Sequence, residues 1–140
     1  MTNLCPFHLA IPVHNLEECR AFYRDILGFS EGRSSDHWVD FDCFGHQLVL
    51  HYTELILEAE TTNPVDGKDV PIPHFGVVLD METFNQFSKK LTSKNIKFMI
   101  EPYIRFKGEV GEQATMFFKD PSGNALEFKA FKDLGQLFAT

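Results

Sequence analysis

The chain has 140 residues, a formal net charge of −7 and an apolar fraction of 44%. This length fits one domain or two small fused modules, and the apolar fraction argues against a disordered chain. The negative charge, with no run of Lys or Arg, disfavours nucleic acid and an anionic membrane surface as partners.

Cysteine usage and the termini indicate the compartment. Cys5, Cys19 and Cys43 are odd in number and lack CxxC spacing, so they predict reduced thiols rather than a disulfide framework or a zinc knuckle. The N-terminus has no signal-peptide pattern, and no apolar run approaches the roughly 20 residues of a membrane span. We therefore expect a soluble, cytoplasmic protein.

The first half of the chain predicts a strand, a helix and three more strands. Residues 6–13 alternate between an apolar face and a face that carries His8. Asn15 is a suitable N-cap for the helix that follows, and Gly28 is well placed to end it. The three further strands are predicted over residues 29–33, 38–44 and 47–53.

The second half follows a polar, turn-rich connector over residues 54–72, in which residues 54–60 permit a helical turn. Asp80 can cap a helix over about 81–94. Residues 120–123 (DPSG) form a predicted turn. The strands of this half are predicted over residues 73–79, 97–101, 113–119 and 125–131.

The two halves therefore form an internal repeat of the pattern strand, helix, strand, strand, strand. Aligning residues 7–13 with 73–79 matches His8 with His74. Aligning residues 45–51 with 123–129 matches Gly45 with Gly123. Sequence identity between the halves is low, so the claim depends on the order of elements and on the paired histidines.

Three residues in apolar, strand-like runs are candidate metal ligands: His8, His74 and Glu127. A charged or imidazole side chain in such a run costs free energy unless it is paired, hydrogen-bonded or bound to a metal. Two imidazoles and one carboxylate make a ligand set for a divalent ion with open positions. The alternatives are hydrogen-bonded core histidines and a glutamate that faces solvent.

The chain resembles the vicinal oxygen chelate superfamily, which includes glyoxalase I, extradiol dioxygenases, fosfomycin-resistance thiol transferases and bleomycin-resistance proteins. The resemblance covers nearly the whole chain. It is carried by residues 7–13 (FHLAIPV), 21–29 (AFYRDILGF), 73–77 (PHFGV) and 117–127 (FFKDPSGNALE).

The resemblance implies an α+β fold of two βαβββ modules, whose eight strands curl as a mixed sheet around a metal cleft. We assign module one to about 5–53, the connector to 54–72, module two to about 73–131 and a tail to 132–140, all within one domain. It also implies that His8, His74 and Glu127 are metal ligands, that the substrate is a small molecule and that the chain forms a homodimer.

One position departs from glyoxalase I, which takes a fourth, carboxylate ligand from the last strand of its first module. The internal alignment puts Val49 there, and Val49 cannot bind a metal. His51 lies two residues further and so points to the same face. It is a candidate fourth ligand, base or hydrogen-bond donor, or else a buried histidine without a catalytic role.

Further candidates lie around the expected cleft. Tyr103, Arg105 and Lys107 fall in a predicted loop with glycines at 108 and 111, which is either a lid that recognises a polar or anionic substrate or a solvated loop. Arg105 is therefore a candidate catalytic residue beside His51. Trp38 and Phe118, with Tyr103, are candidate substrate contacts, and core packing is the alternative for Trp38 and Phe118.

The sequence thus favours a metal-dependent enzyme that chelates adjacent oxygens of its substrate. Fe(II) suits a dioxygenase-like reaction, which is the favoured one, and Mn, Ni, Co or Zn would suit a glyoxalase-like isomerase or lyase. The alternative is a metal-free protein of the bleomycin-resistance type that binds a drug or metabolite. A metal-binding domain with a lost or regulatory function is a third hypothesis.

Overall fold

The structure is a computed structural model that describes residues 4–54, 61–65 and 67–140. The chain divides into two compact units. One comprises Met1–Glu58 and Asp120–Asn124, and the other comprises Ala59–Lys119 and Ala125–Thr140. The helical turn that the sequence permits over residues 54–60 cannot be compared with the structure, because residues 55–60 lie outside the described part.

The first unit contains a four-stranded sheet and one helix. The helix begins at Asn15, whose side chain accepts a hydrogen bond from the backbone N–H of Glu18, and it continues into a π-helical turn. The elements are β1 (His8–Val13), α1 (Leu16–Ala21), the π-helical turn (Phe22–Ile26), β2 (Ser30–Ser34), β3 (Trp38–Cys43) and β4 (His46–Tyr52). The strand order is β1-β4-β3-β2, with β1 and β4 parallel.

The two faces of this sheet differ as the alternation in the sequence predicts. One face is buried and includes Ile11, Phe41 and Leu50. The opposite face carries His8 and Gln47, which are exposed. Because successive side chains of a strand point to opposite sides, an uninterrupted period of two is enough to separate the core from a polar face.

A turn from late in the chain, Asp120–Asn124, belongs to the first unit. The buried hydroxyl of Tyr23 donates a hydrogen bond to Asp120 Oδ2 at 2.9 Å, and the amide of Asn124 donates to the carbonyl of Pro12 at 2.8 Å. Burial raises the pKa of the Asp120 carboxyl, although hydrogen bonds from Asn124, Tyr23 and Ser122 oppose this shift.

The second unit repeats this order and adds a hairpin. The elements are β5 (Thr61–Val65), β6 (Lys68–Ile72), β7 (His74–Phe75), β8 (Val78–Asp80), α2 (Met81–Ser93), β9 (Phe98–Arg105), β10 (Gln113–Lys119), β11 (Ala125–Phe131) and a 3-10 turn (Leu134–Gln136). The sheet has the order β7-β11-β10-β9, and β8 also pairs with β11. Phe87 of α2 packs edge-to-face on Phe128, with 4.9 Å between the ring centroids.

The predicted α+β architecture of two βαβββ modules is confirmed, and so is the alignment of the repeat. His8 is paired with Gln47 across β1 and β4, and His74 is paired with Ala125 across β7 and β11. These are the pairs that the alignment of the two halves predicts. The described strands form two main sheets and the β5–β6 hairpin, rather than one eight-stranded sheet.

Three local predictions were wrong. Residues 61–72 of the predicted connector form the β5–β6 hairpin. The strand predicted over 73–79 is interrupted at Gly76, where a Cβ atom would lie 1.5 Å from the carbonyl oxygen of Glu127. The strand predicted to end at residue 101 continues to Arg105, so Tyr103 and Arg105 lie in β9 and not in a lid loop.

In the described part of the chain, no helix is both long and apolar enough to span a membrane.

Candidate functional site

A pocket of about 170 Å³ lies within the second unit, on the face of its sheet that carries His74 and Glu127. Residues of the strands β7, β9, β10 and β11 line it, together with residues of the β5–β6 hairpin. Its lining residues are Val65, Lys68, Val70, His74, Ile100, Tyr103, Arg105, Thr115, Phe117, Glu127 and Lys129.

The orientation of His74 is fixed by two neighbours. Its Nδ1 lies 2.7 Å from the carbonyl oxygen of Pro71, and its ring meets that of Phe117 edge-to-face, with 5.0 Å between the centroids. A carbonyl oxygen can only accept a hydrogen bond, so Nδ1 carries the proton. In the neutral ring Nε2 is then the unprotonated nitrogen, as a metal-binding histidine requires.

Nε2 of His74 faces the carboxylate of Glu127, with 3.5 Å between Nε2 and Oε1. Two atoms that bind one ion at about 2.1 Å each, at a tetrahedral angle, lie roughly 3.4 Å apart. The other oxygen of Glu127 accepts a hydrogen bond from the hydroxyl of Thr115 at 2.7 Å. The pair therefore fits two neighbouring positions of a divalent ion, and each partner has a second contact that orients it.

Among the described lining residues of the pocket, cationic side chains outnumber carboxylates, although the protein as a whole is acidic. Lys68, Arg105 and Lys129 face a single carboxylate, Glu127, among the described lining residues. Lys129 Nζ lies 3.9 Å from Glu127 Oε1. Lys68 Nζ lies 5.3 Å from the centroid of the Tyr103 ring, within the range of a cation–π contact.

His8 belongs to the first unit and is also held by a hydrogen bond at Nδ1. Its partner is Gln47 Oε1 at 2.8 Å. Gln47 in turn donates from Nε2 to Asp40 Oδ2 at 3.2 Å, and because a carboxylate only accepts, this contact fixes the amide orientation. His8 therefore donates from Nδ1, and its Nε2 is left to accept.

His51 and Trp38 form a cross-strand pair in the first unit, His51 on β4 and Trp38 on β3. Side chains that are directly opposite in an antiparallel pair share a face, so both lie on the face that carries His8. His51 is exposed and Trp38 is half-buried, with the guanidinium of Arg33 stacked 5.7 Å from the Trp38 ring centroid.

The structure thus brings four predicted site residues together in one pocket: His74, Glu127, Tyr103 and Arg105. Phe118 lies in the core of the second unit, fully buried and stacked on Phe128, which is the alternative weighed for it from the sequence. Within the described ranges, no three His, Cys, Asp or Glu side chains are arranged so that they could hold a metal ion.

The sequence analysis missed three polar residues of the pocket, Lys68, Thr115 and Lys129, and its apolar lining. Lys129 follows Glu127 by two residues on a strand, so the period of two signals a shared face. Thr115 lies opposite Lys129 on β10. The Asp-Gly dipeptide at 66–67 in the sequence is a typical signal of a hairpin with a two-residue loop, and Val65 and Lys68 on either side of it are paired.

Comparison with known proteins supports the fold over its whole length. A crystal structure of a glyoxalase/bleomycin resistance protein/dioxygenase from Alicyclobacillus acidocaldarius is 32% identical, with a TM-score of 0.81 and coverage of 99% of this chain and 100% of that chain. Lactoylglutathione lyase from Agrobacterium tumefaciens shares the fold, with 20% identity, a TM-score of 0.65 and full coverage of both chains.

A curated relative and a family model agree with these structures. The virulence protein STM3117 of Salmonella typhimurium is 22% identical over 125 residues, which are 89% of this chain and 82% of that protein. The model of the Glyoxalase/Bleomycin resistance protein/Dioxygenase superfamily matches residues 6–128. The chain therefore belongs to the glyoxalase/bleomycin resistance protein/dioxygenase superfamily.

Proposed function

We propose that the protein is a metal-dependent enzyme that acts on a small substrate with two adjacent oxygen atoms. The observation that carries this proposal is the pair formed by His74 Nε2 and Glu127 Oε1, 3.5 Å apart in a pocket. The ring of His74 donates from Nδ1 to a carbonyl and directs Nε2 toward a carboxylate. Two ligands of one divalent ion are typically arranged in this way.

His8 is the third ligand in this proposal. Like His74, it uses Nδ1 for a hydrogen bond within its own unit and leaves Nε2 to bind. Two imidazoles and one carboxylate form the ligand set of non-haem Fe(II) oxygenases, so we favour a dioxygenase-like reaction. Mn, Ni, Co or Zn would instead favour an isomerase or lyase reaction.

We also propose that the protein is a homodimer, which light scattering would test.

A bound divalent ion would polarise the substrate oxygens and stabilise negative charge that develops on them. The chain itself holds the reacting groups in position. Thr115 and Pro71 orient Glu127 and His74 through hydrogen bonds of 2.7 Å each. Arg105 lines the same pocket and is the proposed electrostatic partner of the substrate. His51 stays a candidate base.

Elemental analysis tests the metal site. Wild-type protein without a histidine tag would be compared with His8→Ala, His74→Ala and Glu127→Gln, and His37→Ala would serve as the control because His37 is an exposed histidine of the first unit. We expect near-stoichiometric metal in the wild type and the control, and loss of metal in the other three variants. A folded His74→Ala variant that keeps its metal and its activity would contradict the proposal.

The identity of the metal separates the reactions. Iron that is present in the wild type and absent from His8→Ala would support the dioxygenase hypothesis, and catechol-like substrates would then be tested under O₂. Zinc, nickel, cobalt or manganese would support the isomerase or lyase reading.

A second candidate is a metal-free binding protein of the bleomycin-resistance type. It is favoured by the finding that, among the described residues, no three potential ligands are grouped as a metal site. Absence of metal from the purified wild-type protein, together with no uptake on reconstitution with Fe(II), Mn(II), Ni(II), Co(II) or Zn(II), would support this candidate.

A further inference from the structure

We infer that the pocket of the second unit binds a small organic anion, and that Lys68 and Lys129 hold its negatively charged group. This inference rests on the proposed function for the reaction that the bound anion would undergo. The anion site itself is built from residues that are not proposed metal ligands, so it is testable separately.

The first support is the charge of the lining. Among the described lining residues, two ammonium groups, Lys68 and Lys129, accompany one carboxylate, Glu127, and Arg105 adds a guanidinium group. The two lysines alone therefore outnumber the carboxylate. A cluster of like charges around a small pocket is unfavourable unless an opposite charge enters it, and a divalent ion at His74 and Glu127 would increase the excess.

The second support is the placement of the two ammonium groups. Lys129 Nζ is 3.9 Å from Glu127 Oε1, so it lies beside the proposed metal ligand. That distance is longer than a charge-assisted hydrogen bond of about 2.8 Å, so the ammonium keeps donors for a further oxygen. Lys68 contacts the face of the Tyr103 ring, which fixes the ammonium without using its N–H groups as donors to a carboxylate.

The size and the apolar part of the lining restrict the body of the ligand. The pocket of about 170 Å³ is smaller than the 300–1,000 Å³ of typical drug-sized sites. Val65, Val70, Ile100 and Phe117 also line it, so it offers apolar contact beside the charged groups. These features favour a short carboxylate or phosphate ester with a small hydrocarbon part.

The test is calorimetric titration of EDTA-treated, metal-free protein at low salt with three probes. Glycolate carries a carboxylate, inorganic phosphate carries a phosphate, and glycolamide is the neutral analogue of glycolate. The variants are Lys68→Gln and Lys129→Gln. Lys89→Gln is the matched control, because Lys89 is exposed on α2 in the same unit and does not line the pocket.

We expect glycolate or phosphate to bind the wild type and Lys89→Gln equally, and to bind each pocket variant roughly tenfold or more weakly, since each loses a charge-assisted hydrogen bond. The stronger of the two anions identifies carboxylate or phosphate as the preferred group. Equal affinity for glycolate and glycolamide, no binding of either anion, or equal weakening in Lys89→Gln would overturn the inference. Unchanged urea midpoints would verify that the variants are folded.

Metal content separates the two proposals. Lysine-dependent anion binding in a protein that takes up no metal would leave this inference standing and remove the proposed enzyme function. Metal bound at His74 with anion binding that does not depend on Lys68 or Lys129 would remove this inference alone.

Discussion

The two units are built on one plan, and the second has a charged pocket on the face that corresponds to the exposed His8 face of the first. Their sheets have the same strand order, and equivalent residues are paired: His8 with Gln47, and His74 with Ala125. Two positions further along the last strand, the first unit has buried Val49 where the second has Glu127. The residue at this one equivalent position therefore decides which unit can supply a carboxylate from its last strand.

The units also differ in what surrounds that face. In the second unit the β5–β6 hairpin contributes Val65, Lys68 and Val70 to the pocket. In the first unit the corresponding face carries His8, Gln47 and His51, all exposed. The repeat thus supplies the scaffold and the position of each histidine, whereas the hairpin and the side chains of β9 and β11 supply the enclosure and the charge.

The largest expected effect concerns the backbone at Gly76. This residue aligns with Ala10, but a Cβ atom at Gly76 would lie 1.5 Å from the carbonyl oxygen and 2.6 Å from the carbonyl carbon of Glu127. Those atoms belong to the β11 backbone and cannot move without disrupting the ladder. We expect Gly76→Ala to lower the free energy of unfolding by about 3 kcal/mol, measured by urea denaturation.

The matched control for Gly76→Ala is Ala10→Gly at the aligned position of β1. It should cost only about 0.5–1 kcal/mol, since it adds backbone freedom without removing a buried contact. Equal costs for the two variants would show that the second unit tolerates a Cβ atom against β11, and the proposed cause of the break between β7 and β8 would be wrong.

The next largest loss of stability is expected at Tyr23. Its counterpart in the second unit is Ser88, since each of the two residues lies eight positions after a helix N-cap. The hydroxyl of Tyr23 donates to the buried carboxyl of Asp120, whereas that of Ser88 donates to the carbonyl of Asn85 within its own helix. We expect Tyr23→Phe to cost about 1–3 kcal/mol at pH 7, because Asp120 loses a donor, and Ser88→Ala to cost less.

The cost of Tyr23→Phe should depend on pH. Burial raises the pKa of Asp120, so its contribution to stability is present at low pH and is lost as the pH rises through the pKa of the folded state. Removing the Tyr23 hydroxyl raises that pKa further, so the difference in unfolding free energy between wild type and variant should be larger at pH 7 than at pH 4. A difference that is the same at both values would contradict this role of the hydroxyl.

Most strands and both α-helices of the two units were predictable from the sequence, because strand alternation and helix caps are local signals. Asn15 and Asp80 both cap helices as expected, and the alignment of His8 with His74 gave the correct strand pairs. A strand pattern repeated twice also fixes which side chains share a face.

The β5–β6 hairpin and the second half of β9 were not predicted from the sequence, and both contain proline. Pro102 lies within β9, and Pro64 and Pro71 lie within the β5–β6 hairpin. Proline lacks an N–H donor and is usually a sign of a turn, but strands at an edge tolerate it. β9 is at an edge of its sheet and the hairpin has two strands, so tertiary position overrode the local signal.

A smaller effect concerns Thr115, whose hydroxyl orients Glu127 at 2.7 Å. If Glu127 binds a metal, Thr115→Val should weaken metal affinity about tenfold, as is usual when a residue that orients a ligand is changed. The change in unfolding free energy should be about 1 kcal/mol. Metal titration would measure the affinity, and Thr115→Ser should restore it because it keeps the hydroxyl. Equal affinities for Val and Ser variants would contradict a positioning role.

The smallest effect concerns how each unit holds its histidine. His74 donates from Nδ1 to the backbone carbonyl of Pro71, but His8 donates to a side chain, Gln47. Gln47→Ala should therefore populate both tautomers of His8, which long-range ¹⁵N–¹H correlation spectra would detect. Stability should change by less than about 1 kcal/mol, because the contact is exposed. His74 should keep its tautomer, since no side-chain substitution at Gln47 alters a backbone acceptor in the other unit. An unchanged His8 spectrum would mean that the backbone around His8, rather than the Asp40–Gln47 pair, sets which nitrogen remains available for a metal.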